Sequence, residues 1–99
     1  MTSSVQITHE ATESGGLYEA HVDDSDATGI LSYVQKDADT IIADHTLVPD
    51  ALRGRGIASA LVKQLMADAA VQGFRIVPQC SFVRASFERH PEWAEFRAD

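Results

Sequence analysis

The rhythm of apolar and polar residues changes once along this chain, near residue 56. Before that point it has the period of half-buried strands. Val5-Gln6-Ile7-Thr8-His9 alternates apolar and polar, and Leu17-Tyr18-Glu19-Ala20-His21-Val22 reads as the returning strand of a hairpin. Glu10 to Gly16, carrying Thr12, Ser14, Gly15 and Gly16, is the turn between them. Asp23-Asp24-Ser25-Asp26 is a second polar turn. Ala27 to Gln35 contributes Thr28, Ile30, Leu31, Tyr33 and Val34. After Lys36-Asp37-Ala38-Asp39, Thr40 to Val48 follows as a longer strand. The first half is expected to form an antiparallel meander behind a frayed start at residues 1–4.

From Gly56 onward the period is helical. Ile57, Leu61, Leu65 and Ala69 recur every four residues with Val62, Met66 and Ala70 beside them, while Lys63, Gln64, Asp68 and Gln72 fall elsewhere around the wheel. This predicts a helix from 57 to 72, ended by Gly73 in the left-handed region. Phe74-Arg75-Ile76-Val77 is a short buried strand, expected to lie parallel to 40–48 through a right-handed crossover. Ser81 is placed to cap a second helix running to about Arg89. His90 precedes Pro91 and is biased out of helix, and Pro91 opens a last turn that docks Trp93 and Phe96 on the core. The expected class is α+β, with a tendency toward three α/β layers, in one domain over residues 1–99.

Composition removes several function classes. No apolar run approaches the ~18 residues of a membrane span, and no basic segment followed by an apolar one opens the chain, so a cytoplasmic protein is expected. The one cysteine, Cys80, excludes an internal disulfide and a cysteine-based zinc site. Asp23–Asp26 lacks the spacing, central glycine and final glutamate of a calcium loop, so no metal is expected. A net charge of −7 argues against general nucleic-acid binding. The charge is uneven, however: residues 1–50 hold one lysine and ten acids, whereas residues 51–99 hold seven lysines and arginines and five acids. Solubility accounts for the acidic half. An anionic ligand would find its place in the other.

The stretch from Val48 to Ala58 joins the two periods and interleaves Arg53 and Arg55 with Gly54 and Gly56. Glycine lets backbone N–H groups approach a ligand closely, and the helix start adds unpaired donors and a positive dipole end. A Walker loop is excluded by spacing and by its missing lysine; a dinucleotide fingerprint is disfavoured by Ser59 and by the short chain. Arg53-Gly54-Arg55-Gly56-Ile57-Ala58 resembles instead the pyrophosphate loop of the GNAT acyltransferase superfamily. Asp44-His45-Thr46, Val48-Pro49, Val77-Pro78, Cys80-Ser81-Phe82-Val83 and Glu88-Arg89-His90-Pro91 extend the resemblance to a subgroup of very short GNAT-like proteins. It implies a minimal GNAT-like fold with a splayed parallel strand pair, and an acetyl-CoA cosubstrate held by Leu47, Val48, Arg53, Gly54, Arg55, Gly56, Ile57 and Ala58. Leu47 and Val48 would offer backbone groups to the pantetheine.

Two side chains suit acetyl transfer to an amine. Cys80 stands just ahead of a helix start, where a thiol is acidified. It could take the acetyl group, protonate the departing thiolate, or simply pack as a small hydrophobe. His45 lies on the strand lining the cleft, in the right pKa range for a general base, and alternation puts it on the face opposite Asp44 and Thr46; backbone-bonded packing is its other reading. His9, His21 and His90 are read as surface or packing residues, and Arg84 as part of a solvated helix face. The chain departs from ordinary GNAT enzymes in lacking the helices after the first strand and a tyrosine after the last parallel strand. The expected function is an N-acetyltransferase acting on an amine of a small molecule or protein; the alternative is a catalytically weak or inactive CoA-binding module or partner-binding domain.

Overall fold

Alternating and helical stretches become the elements their periods require. In the structure, a computed structural model that describes residues 5–98, the strands are β1 (Val5–Ala11), β2 (Gly15–Val22), β3 (Thr28–Asp37), β4 (Thr40–Leu47) and β5 (Arg75–Pro78). The helices are α1 (Ile57–Gln72) and α2 (Ser81–Arg89), with 3-10 turns at Asp50–Leu52 and Pro91–Phe96. The fray expected at 1–4 lies outside the described residues. Strands follow the order β1-β2-β3-β4-β5, antiparallel up to β4, with β4 and β5 parallel. The α+β class with its parallel pair is thus what the chain adopts.

The first hairpin is tighter than the residue types suggest. Gly15 and Gly16 belong to β2 and not to the turn, pairing with Val34 and Tyr33 of β3. A β-carbon at either would collide with the carbonyl or hydroxyl of Tyr33, so glycine here serves close approach between strands.

All the helical packing falls on one face of the sheet. Tyr18, Ala20, Val22, Leu31, Ile41, Ala43 and Ile76 meet Ile57, Leu61, Val62, Leu65, Met66 and Ala69 of α1, and Val83 and Phe87 of α2, in one core. Fully burying each valine, leucine, isoleucine, methionine or phenylalanine of this set contributes roughly 1.5–3 kcal/mol. The helices touch each other, so both lie on that side. Alternate sheet positions, among them Leu17, Glu19, Ile30, Ser32, Ile42 and Val77, stay partly exposed. The sheet therefore has two layers, and the third suggested by the strand–helix–strand pattern is not built. Its cause is α2: starting three residues after Pro78, it turns back to bury Val83 and Phe87 against α1 instead of crossing the sheet.

Both ends of α1 are set by glycine. Gly56 precedes it with φ 73° and Gly73 closes it with φ 81°, its N–H donating to the Ala69 carbonyl. Beyond the last 3-10 turn the backbone returns to the sheet. Arg97 forms a parallel bridge with Ile76, and the Ala98 N–H donates to the Ile76 carbonyl at 2.9 Å, covering the outer edge of β5.

Candidate active site

The parallel strands separate at a defined residue. Their register runs from Thr40 opposite Arg75 to Ala43 opposite Pro78 and then stops. At that point the β3–β4 register slips as well: Tyr33 faces Ala43 but Ser32 faces His45, which leaves Asp44 as the extra residue of a β-bulge. A bulge bends its strand, so β4 follows β3 as far as Leu47 while β5 ends. The Cys80 N–H donates to the Ala43 carbonyl at 2.9 Å, at the point where the cleft opens.

The bulge also redistributes side chains. Directly opposed residues share a face, so His45 lies with Ser32 on the open side of the sheet and Thr46 lies with buried Leu31 on the helix side. The Ser32 hydroxyl donates to Asp44 at 2.7 Å, which brings Asp44 to the open side too. His45 Nδ1 stands 3.6 Å from Asp44 Oδ1 and the imidazole is 76% exposed. Regular alternation separates Asp44 from His45; the extra residue puts them side by side. Thr46 stays opposite, as expected.

Cys80, and not Ser81, occupies the N-cap position of α2. Its Sγ is 3.3 Å from the Thr46 hydroxyl. Burial opposes ionisation of the thiol, but the Thr46 hydroxyl and the N–H groups of Val83, Phe82 and Thr46 outweigh it, holding the pKa below the ordinary thiol value. Cys80 lies on the helix side with Thr46 and His45 on the open side with Ser32, so the two form no thiol–imidazole dyad.

The glycine loop has the shape of an anion nest. Gly54 (φ 78°) and Gly56 (φ 73°) are both left-handed, which an L side chain rarely adopts. The Arg53 N–H donates to Asp50 and the Ala60 N–H to the Gly56 carbonyl; the N–H groups of residues 54–59 between them have no acceptor among the described residues. Leu52 is wholly buried and anchors the loop, while Ile57 is buried too and leaves only its backbone to a ligand. A β-carbon on Gly29 would come within 2.7 Å of Ile57 Cγ2, so glycine in β3 lets the first turn of α1 rest on the sheet. Leu47 is largely exposed on the bulged strand, and Val48 and Ala58 are half-buried.

Both loop arginines are engaged by carboxylates. Arg55 grips Asp24 of the β2–β3 turn with two bonds of 2.8 and 3.1 Å, and this hydrogen bonding holds the Asp24 carboxyl below its ordinary range. Arg53 Nε pairs with Asp50 at 3.1 Å. Arg84 donates to the Gln79 carbonyl. A further group escaped the sequence reading: a cavity of about 190 Å³ between α1 and α2, lined by Ser59, Lys63, Arg89, His90 and Trp93 among others. His90 stacks on Trp93 with centroids 4.1 Å apart. Lys63 and Arg89 belong to different helices and line one cavity only once the two helices are laid together.

A mixed sheet that opens between its parallel strands, with a glycine turn heading the crossover helix, has the build of an acetyltransferase. The profile of the GCN5-related N-acetyl-transferase family matches residues 17–96, and the chain belongs to that family. Comparison with curated proteins finds no match. No helix among the described residues is long and apolar enough to cross a membrane.

Proposed function

We propose that the protein is an acetyl-CoA-dependent N-acetyltransferase that acetylates an amine of a small molecule or an exposed protein segment. The observation that carries this reading is the cleft beyond Ala43 and Pro78, with a glycine nest of free N–H groups at its end. The cosubstrate supplies an activated thioester; the chain's residues hold and direct it. The N–H groups of residues 54–59 and the positive end of α1 suit the pyrophosphate. Arg53 and Arg55 exchange their carboxylates for phosphate oxygens, and Lys63, Arg89 and Trp93 receive the nucleotide end. Leu47 and Val48, beyond the bulge and without a β5 neighbour, offer backbone groups to the pantetheine arm.

Cys80 and His45 act from the two sides of the cleft. The Cys80 thiolate, stabilised by Thr46 and the start of α2, attacks the acyl carbon; the Sγ–C bond forms and the thioester C–S bond breaks. The acceptor amine arrives from the open face, where no helix stands. Its nitrogen bonds to the acyl carbon, the Sγ–C bond breaks, and the amine proton passes to His45, whose imidazolium Asp44 steadies. That proton balances the one taken up by the departing thiolate. A free thiol and this cosubstrate both suit the reducing cytoplasm.

Mass spectrometry after incubation with acetyl-CoA should find an acetyl group on Cys80, discharged when amine is added. Full turnover by Cys80→Ala without any adduct would leave direct transfer and remove the nucleophile step. Gly56→Asp puts a side chain and a charge into the nest and should abolish CoA binding in calorimetry; unchanged affinity overturns the whole reading. The placement of His45 and Cys80 on opposite faces favours a second reading, a CoA-binding module without transferase activity. Measurable CoA affinity with no amine-dependent thioester consumption would select it.

A further inference from the structure

The end of the sheet away from the glycine loop holds a second cavity, of about 180 Å³, under the C-terminus of α1. Ile41 belongs to its wall, where β4 and β5 are still paired, so it is separate from the cleft that opens beyond Ala43. Three rings gather there. His9 stacks on Tyr18 with centroids 4.3 Å apart and planes 5° from parallel, and Tyr33 is inclined by 41° and 44° to the two at 5.7 and 5.9 Å. The phenols are already used: Tyr18 donates to Asp68 at 2.7 Å, and the Tyr33 hydroxyl is 2.6 Å from His9 Nε2.

Tyr18 is 1% exposed and lies under His9, so the ring surface left for a ligand is that of His9 and Tyr33, with a carboxylate beside it. Among the described residues, Asp39 lines the cavity and neither lysine nor arginine does. Gln72 and Gly73 bring in the end of α1, where the last carbonyls carry the negative end of the helix dipole. The Tyr33 ring, the Asp39 carboxylate and the helix C-terminus favour positive charge. The contrast lies at the other end of the same helix, where Lys63 and Arg89 line a cavity beside its positive terminus. We infer that the cavity formed by His9, Tyr18, Tyr33, Asp39 and the end of α1 is a binding site for an alkylammonium head group. It requires neither acetyl-CoA nor transferase activity.

The test is an NMR titration of the full chain with choline and with its neutral isostere 3,3-dimethylbutan-1-ol. Choline should move the Asp39, Gly73 and Phe74 amides and the Tyr33 ring saturably, and the neutral compound should bind about tenfold more weakly. Asp39→Asn, at an exposed turn, should weaken choline about fivefold, and Gln72→Lys at the rim should abolish binding. Gly56→Asp should leave it unchanged, which separates this site from the cleft. A trimethyllysine amide that binds more tightly than choline assigns the head group to a peptide side chain, and the reverse order assigns it to a free small molecule. Equal response to the charged and neutral probes, shifts located elsewhere, or an unaffected Asp39→Asn protein overturns the inference.

Discussion

One thiol and one carboxylate show how hydrogen-bond partners set the chemistry of a side chain here. The Thr46 hydroxyl and the first N–H groups of α2 converge on Cys80 Sγ and overcome its burial. The rate of Cys80 alkylation should therefore reach half its plateau at a lower pH than for a free thiol. Thr46→Val should move that midpoint upward; a profile identical to wild type would leave Thr46 no part in it. Asp24 is the mirror case, with its carboxyl pulled down by Arg55. A lowered folded-state pKa means that any stability from this pair is present at neutral pH and is lost as pH falls through that value. In the proposed cofactor site Asp24 would compete with a phosphate for Arg55. Exposed ion pairs are weak, so Asp24→Asn should tighten CoA binding by no more than about fivefold in calorimetry. Weaker binding would mean that Asp24 positions the loop and does not restrain it.

At the scale of elements, α1 was legible because it keeps one period over its whole length, and the strands because they are β-rich runs between polar turns. The bulge at Asp44 was not. One inserted residue in an eight-residue strand, Thr40–Leu47, leaves no mark on the alternation, and it is visible only as a slip against β3. Loop and helix start were readable from glycine spacing, but the Arg55–Asp24 grip joins residues 31 apart in sequence and belongs to tertiary structure alone. Gly29 is a related case. Its role in seating α1 is set by Ile57, which lies across the fold. Gly29→Ala should lift the first turn of α1 and weaken CoA binding while the far cavity stays intact. Unchanged CoA affinity in a folded Gly29→Ala protein would show that Ile57 yields without moving the nest.

Over the whole molecule, charge is distributed along the axis of one helix, with the basic cavity at the start of α1 and the acidic, aromatic one at its end. The net charge of −7 would oppose the proposed anionic cosubstrate at long range, while the local arginines, lysine and dipole would attract it. The screening length falls from about 30 Å at 0.01 M salt to about 3 Å at 1 M. If the local groups dominate, CoA affinity measured by calorimetry should fall steadily across that range; an affinity that rises with salt would show that the net charge prevails. The backbone return at Arg97 and Ala98 has a separate consequence. Because the chain covers the free side of β5, strand addition from another polypeptide is directed to β1, whose sequence VQITHEA carries neither lysine nor proline to discourage it. An outward lysine on β1, the edge farthest from the cleft, should therefore lower self-association at high concentration, read by light scattering, while CoA affinity stays unchanged.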